Sequence, residues 1–176
     1  MNAPLIRLAT VDDLPVLCHL GAATFRETYR PISNPREVDE YADENFTAAK
    51  VTAWFRKPCA RTLLAHVGGE PAGYAHLRHA KVPECVADRK AIELSRLYLL
   101  GSAQGTGLGS AMMAAVLAQA AELEARTVWL GAYERNERAL AFYARHGFAR
   151  VGAHEFEFGG RIYADPVLVR PVVFAP

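Results

Sequence analysis

The stretch LYLLGSAQGTGLGSAMMAAV, residues 97–116, places an apolar strand, a loop with alternate glycines and a helix directly one after another. Gly105, Gly107 and Gly109 let the backbone approach a ligand closely. The first N–H groups of the following helix are unblocked and lie at the positive end of the helix dipole. This order predicts a diphosphate site, with a tight, ligand-free strand-to-helix connection as the alternative.

Two common phosphate-binding loops do not match this stretch. A dinucleotide fingerprint G-x-G-x-x-G that begins at Gly105 would end on Ser110, and no acidic residue closes the next strand to bind a ribose. A Walker A loop needs a lysine and a glycine that are not at the required positions. The sequence therefore argues against a dinucleotide site and a P-loop.

Length and composition limit the remaining classes. The 176 residues, with 51% hydrophobic content, predict a single domain over residues 1–176. A net charge of +1 argues against a nucleic-acid partner, and no apolar run is long enough to predict a membrane span. Three cysteines without CxxC spacing, and the lack of an export signal, indicate a cytoplasmic protein. No metal site is expected, since His76 and His79 would point to opposite faces of a strand.

Hydrophobic periodicity and turn signals predict alternating strands and helices. A strand at residues 5–9 precedes a helix that starts at a capping box of Thr10 and Asp13. Two short helices then lie between residues 35 and 57, with a break near residues 45–47. The remaining predictions are a hairpin at 62–80, strands at 91–100 and 127–133, helices at 107–125 and 136–146, and a closing hairpin at 148–172.

The loop residues 104–109, QGTGLG, resemble the Gln/Arg-x-x-Gly-x-Gly/Ala signature of the GCN5-related N-acetyltransferase (GNAT) family. The segment WLGAYERNERALAFYARHGF resembles the next strand and helix of that family, and the two segments cover about half of the chain. Among its subgroups, ATFRETY and VGAHEF are most similar to the Pai-type bacterial spermidine/spermine N-acetyltransferases. The resemblance implies an α/β fold, with a mostly antiparallel central sheet that splays between its central strands and is flanked by helices.

The resemblance also implies a cosubstrate, acetyl-coenzyme A, and the residues that bind it. The strand before the loop would pair its backbone with the pantetheine arm, and the loop amides would surround the pyrophosphate. These positions are Leu97, Tyr98 and Leu99 in the strand, and Gln104, Gly105, Thr106, Gly107, Leu108, Gly109 and Ser110 in the loop.

Asn136 and Tyr143 lie seven residues apart, which places them on one face of a helix. Asn136 stands where a helix N-cap is needed, and a cap can also contact the cofactor. By resemblance, Tyr143 protonates the departing thiolate; from the pattern alone it could equally be an aromatic core residue beside Phe142.

An acceptor amine must lose a proton before it attacks. An alkylammonium with a pKa of about 10.4 costs about 4–5 kcal/mol to deprotonate at pH 7, so a base is expected. Glu93 is the candidate, because alternation along its strand places it with Ser95 and Leu97, and burial among apolar neighbours would raise the pKa of its carboxyl. A solvated charge at a strand edge is the alternative. Pai-type proteins tend to have an acid where this chain has Ser95.

The acceptor is predicted to be a polyamine such as spermidine or spermine. Five acidic residues between positions 37 and 45 would attract a polycation, although a solvated helix face explains them as well. The candidate substrate-lining residues are Phe25, Glu27, Tyr29 and Tyr41. The alternatives are another amine (an amino acid, an antibiotic or a protein N-terminus), a non-catalytic acyl-coenzyme A-binding regulator, and a nucleotide-binding regulatory domain. Strand edges in the closing hairpin are consistent with a homodimer.

Overall fold

A computed structural model describes residues 3–174 of the chain. The strands are β1 (Leu5–Leu8), β2 (Arg61–Val67), β3 (Glu70–Arg78), β4 (Ile92–Leu99), β5 (Thr127–Gly131), β6 (Ala149–Phe158) and β7 (Arg161–Pro171). The helices are α1 (Leu14–Tyr29), α2 (Pro35–Asn45), α3 (Ala48–Arg56), α4 (Leu108–Glu122) and α5 (Glu137–Arg145). The seven strands form one sheet in the order β1-β2-β3-β4-β5-β7-β6. This confirms the mixed α/β fold that the resemblance implied.

Helices cover both faces of the sheet. On one face, α4 and α5 contribute Met112, Met113 and Tyr143 to a core that includes Leu77 of β3. On the other face, helices α1 to α3 pack against a second core, which contains Leu17, Val38, Val51, Leu64 and Tyr74. The central strands of the sheet thus lie between two helical layers.

Most predicted boundaries agree with the structure to within a few residues, and both predicted hairpins are present. The capping box of Thr10 and Asp13 is also present, but it begins a single 3-10 turn at Val11–Asp13 that leads into α1. Helix α4 ends earlier than predicted, since the chain takes a left-handed conformation at Glu124, with φ at 57°. Strand β5 ends at Gly131, two residues before the predicted end, although the N–H of Ala132 still donates a hydrogen bond to the carbonyl of Pro166 at 3.1 Å.

The central feature of the sheet is the short parallel pairing of β4 with β5. Only Ile92 with Val128, and Glu93 with Trp129, are paired in the described part of the chain. Beyond Glu93, β4 continues to Leu99 with β3 alone as its neighbour, so that one backbone edge of residues 94–99 has no strand partner. The sheet therefore opens into a cleft between its two central strands, as the resemblance implied.

Within residues 3–174, no helix has both the length and the apolar composition needed to cross a bilayer. The same residues contain no group of three or more His, Cys, Asp or Glu side chains that could hold a metal ion.

Candidate active site

A groove of about 1000 Å³ runs through the cleft and over the glycine loop. Its walls come from the open end of β4, the start of α4, and α5. Most of the predicted cofactor residues line it: Leu97, Tyr98, Leu99, Gln104, Gly105, Gly107, Gly109, Ser110, Asn136 and Tyr143. The other two, Thr106 and Leu108, do not line the groove. Thr106 donates its hydroxyl hydrogen to the carbonyl of Ala103 at 2.7 Å, and Leu108 is buried in the core.

The glycine loop presents free backbone donors to this groove. Gln104 donates its side-chain amide to the carbonyl of Leu99 at 2.9 Å, which holds the loop closed. Gly107 is the N-cap residue of α4, and no side chain caps the helix. The N–H groups of Leu108, Gly109 and Ser110 precede the first intrahelical bond, from Ala111 to Gly107, and can bind an anion.

Gly107→Val is expected to lower coenzyme A affinity about 10–100-fold. Gly107 has φ at +91°, where a β-branched residue is strained, and the open space beside it is where the loop donors point. Gly69→Val is a matched control, because Gly69 also has φ at +91° and open surroundings but lies in the β2–β3 turn. Calorimetric titration should show normal affinity for the control, and equal affinity for both folded variants would contradict the assignment.

Three arginines, Arg135, Arg138 and Arg145, stand at the rim of the groove on and before α5. All three side chains are exposed, and none forms an ion pair with a described residue. Guanidinium groups bind phosphate oxygens well. The motif reading of the sequence missed these residues, which add positive charge near the glycine loop.

Asn136 and Tyr143 share the groove-facing side of α5, as their spacing predicted. Asn136 accepts a hydrogen bond from the N–H of Ala139 at 3.1 Å, so it is the N-cap of the helix. Tyr143 packs edge-on against Phe142 and Phe148. Burial raises the pKa of the Tyr143 phenol, so the group stays protonated at neutral pH.

A smaller pocket of about 260 Å³ opens from the cleft on the α1–α3 side of the sheet. It is called the acceptor pocket here, after the candidate acceptor-lining residues that it contains. Three of the four candidate substrate residues, Phe25, Tyr29 and Tyr41, line it, and Phe25 stacks on Tyr41 at 4.7 Å between ring centroids. Glu27 does not line this pocket; its carboxylate accepts a hydrogen bond from the N–H of Gly101 at 2.8 Å and lies along the groove instead. The pocket and the groove meet at seven shared lining residues: Tyr29, Leu94, Ser95, Arg96, Tyr98, Gly131 and Tyr133.

The surroundings of Glu93 differ from the apolar ones that alternation predicted. The β3–β4 register shifts between His76 and Leu77, which leaves Ser95 as an extra residue in β4. Leu97 therefore packs into the α4-side core, whereas Glu93 lines the acceptor pocket. There its carboxylate binds Arg78 through two hydrogen bonds, at 2.5 and 3.2 Å.

A second carboxylate, that of Asp165 in β7, was not identified from the sequence. Asp165 is buried in the acceptor pocket and accepts a hydrogen bond from the N–H of Glu134 at 3.3 Å. Burial raises the pKa of its carboxyl, and it forms no ion pair with any residue from 3 to 174. The sequence ADPV carries no motif that would have marked it.

The acidic segment of α2 is largely neutralised by arginines. Asp39 binds Arg26 and Arg30 at 3.2 and 2.7 Å, and Asp43 also binds Arg26. Glu40 binds Arg36 at 2.8 Å on the helix surface. Three of the five acidic side chains in this segment therefore have a cation beside them.

His76 is a buried structural residue on the wall of the acceptor pocket. Its ring stacks on Trp54, and its Nδ1 lies 2.9 Å from the hydroxyl of Thr62. Burial, with smaller contributions from Arg96 and Arg78, lowers the pKa of His76 to about 3. His76 is therefore neutral in the folded protein at pH 7.

His76→Gln is expected to make stability less dependent on pH. Between pH 6.5 and about 3 the unfolded chain binds a proton at His76 that the folded chain does not, so the native protein loses about 1.4 kcal/mol per pH unit as pH falls. Denaturant unfolding at pH 6.5 and 5 should show a smaller loss in the variant. His79→Gln, at an exposed position, should retain the wild-type slope; equal slopes for all three proteins would contradict the prediction.

Comparisons with known proteins agree with this geometry. The model of the Acetyltransferase (GNAT) family matches residues 23–148. An uncharacterized N-acetyltransferase of Mycobacterium tuberculosis is 35% identical over 163 residues, which cover 93% of this chain and 100% of the relative. Another uncharacterized N-acetyltransferase, from Lactobacillus delbrueckii subsp. lactis, is 28% identical over 161 residues, covering 92% and 93% of the two chains.

Two solved structures share the fold. The PaiA N-acetyltransferase of Thermoplasma acidophilum, in complex with coenzyme A, superposes with a TM-score of 0.78 at 17% identity, covering 97% of this chain and 99% of that one. A putative phosphinothricin N-acetyltransferase gives a TM-score of 0.70 at 21% identity, covering 98% and 100%. At these identities the likeness shows the fold alone. From the family match and the 35% identical relative, the chain belongs to the GNAT family of acetyltransferases, which use acetyl-coenzyme A.

Proposed function

We propose that the protein transfers the acetyl group of acetyl-coenzyme A to a primary amine, which attacks the thioester directly. The observation that carries this proposal is the junction of the groove and the acceptor pocket at the splay of β4 and β5. The groove offers free backbone donors and a strand edge, and the acceptor pocket offers titratable side chains. An amine and a thioester can meet only where these cavities join.

The groove fits the chemistry of coenzyme A. Uncapped N–H groups of α4 would bind the pyrophosphate, with Arg135, Arg138 and Arg145 adding positive charge at the rim. The unpaired edge of residues 97–99 would bind the amides of the pantetheine arm, in the manner of an added strand. When bound, acetyl-coenzyme A supplies the thioester carbonyl.

In this proposal Glu93 and Tyr143 move the protons. Glu93 accepts the proton of the ammonium, directly or through water, from its position as the last residue of β4 that pairs with β5. Tyr143 donates its phenolic proton to the thiolate of coenzyme A as the C–S bond breaks. Because burial raises its pKa, the phenol carries its proton at neutral pH and has it available when the thiolate forms.

The hypothesis that the acceptor is a polyamine has weaker support than the proposed acetyl transfer itself. The hypothesis relied on the acidic segment of α2 to attract a polycation, but Asp39, Glu40 and Asp43 already bind arginines. Glu27, the only carboxylate among the four candidate substrate residues, accepts a hydrogen bond from Gly101 outside the acceptor pocket. The acceptor pocket itself retains Tyr29, Tyr41 and Phe25 as apolar walls, which suit many amines.

A homodimer and a cytoplasmic location stay predictions. The edge strand β6 exposes Val151 and Phe156, and the neighbouring strand β7 exposes Ile162. Light scattering on the purified protein would measure the mass in solution directly.

The test of the proposed function is thiol release from acetyl-coenzyme A over a panel of spermidine, spermine, short diamines, amino acids and peptides. Saturable release with any of these amines supports acetyl transfer, and its pattern identifies the acceptor. Coenzyme A binding without release for any amine would favour the regulator that binds acyl-coenzyme A without catalysis. Competition by ATP or NAD would favour the nucleotide-binding domain.

A further inference from the structure

The two arginines of the acceptor pocket differ in their partners. Arg78 is neutralised by Glu93 through two hydrogen bonds. Arg96 lies on the same face of β4 as Glu93 and lines both the pocket and the groove. No carboxylate of residues 3–174 lies within ion-pairing distance of Arg96.

The neighbours of Arg96 are aromatic rings. Its guanidinium carbon lies 4.9 Å from the centroid of Phe46 and 5.2 Å from that of Trp54. Tyr41, Tyr74 and Tyr98 also surround it. The rings fix the position of the guanidinium without neutralising it.

Arg96 is half-buried, keeps its charge and has no carboxylate beside it within residues 3–174, so a negatively charged ligand would be stabilised there. The planar donors of its guanidinium match the two oxygens of a carboxylate. The positive charge of Arg96 would repel a polycation. The unpaired cation therefore predicts an acceptor that brings a negative group into the pocket.

We infer that the acceptor amine carries a carboxylate, as an amino acid does, and that Arg96 binds this carboxylate at the junction of the two cavities. This inference rests on the proposed acetyl transfer. Because Arg96 lines both cavities, a carboxylate held there lies close to the place where the amine meets the thioester. Asp165 also lines this pocket and has no ion-pair partner within residues 3–174, so it complements the ammonium of the same zwitterion.

The experiment compares each of four amino acids with its own α-amide: phenylalanine, methionine, glutamine and glutamate. Thiol release gives KM and kcat for wild type, Arg96→Gln and Arg96→Lys. Calorimetric titration of the coenzyme A-saturated protein with the same eight compounds measures binding without turnover. Arg36→Gln is the control, since it removes an arginine that pairs with Glu40 on the surface, away from the pocket.

At least one acid should be preferred to its amide in wild type, and Arg96→Gln should raise the KM for that acid about 10–100-fold while changing kcat little. Arg96→Lys should restore part of this preference, because it keeps the charge but loses the planar fork. The Arg36→Gln variant should behave as wild type. Thermal melting and coenzyme A affinity would show that each Arg96 variant is folded.

Equal or better use of the amides, or a preference for acids that survives Arg96→Gln in a folded protein, would overturn the inference. If neither acids nor amides bind, the inference is also wrong. Arg96-dependent binding of an acid without acetylation would keep the carboxylate site and reject the proposed function instead. Faster thiol release with spermidine than with every amino acid would instead support a polyamine as the acceptor.

Discussion

Tyr143→Phe is expected to lower kcat about 10²–10⁴-fold, while coenzyme A still binds with close to wild-type affinity. The variant removes only the phenolic oxygen, and the ring contacts with Phe142 and Phe148 stay. The groove thus keeps its shape but loses the proposed proton donor for the departing thiolate. Single-turnover thiol release under saturating acetyl-coenzyme A measures the loss, and calorimetry measures the affinity.

Tyr163→Phe provides the matched control. Tyr163 is a partly buried tyrosine that packs edge-on against Tyr133 but lines neither cavity. It should retain wild-type kcat. If Tyr143→Phe also retains wild-type kcat, Tyr143 is a packing residue of the α4-side core, which is the alternative that the pattern FYARH left open.

Glu93→Gln is expected to lower kcat/KM about 10²–10⁴-fold near pH 7, because the ammonium then has no base beside it. The loss should shrink as pH rises toward the amine pKa, where the free amine forms in solution. A pH–rate profile of the variant against wild type measures both effects.

The ion pair with Arg78 complicates a single substitution, since Glu93→Gln leaves that guanidinium without its counter-ion. The double variant Glu93→Gln with Arg78→Gln removes both charges. It should remain slow if Glu93 is the base, whereas recovery of activity would show that the single variant failed only through the unpaired Arg78. Asp165→Asn should reduce kcat/KM less than Glu93→Gln, and the opposite ranking would assign the base to Asp165.

Local chemistry explains how much of the fold and site could be read from the sequence. The glycine loop, the Asn136 cap and the paired glycines of both hairpins act through residues adjacent in the chain, so their patterns identify them without tertiary information. The groove residues follow from these elements, because the strand, loop and helix of residues 97–116 form one wall.

The acceptor pocket depends on contacts between distant segments, which no local pattern encodes. The extra residue at Ser95 moves Glu93 and Leu97 to opposite faces, and its position depends on the register of β3 against β4. The partner of Glu93 is 15 residues away at Arg78, and Asp165 comes from the last strand. One signal was visible in the sequence, since the Arg96 charge interrupts the otherwise apolar end of β4.

The two-residue pairing between β4 and β5 also has a consequence for the energetics of the whole domain. Few backbone hydrogen bonds join strands β1–β4 to strands β5–β7. A molecule that fills the cleft would therefore contact both groups of strands and stabilise their association. Coenzyme A at about 100 times its dissociation constant would add about 2.7 kcal/mol to the unfolding free energy. Amide hydrogen exchange should slow most along residues 94–99, where the bound molecule would replace the missing strand.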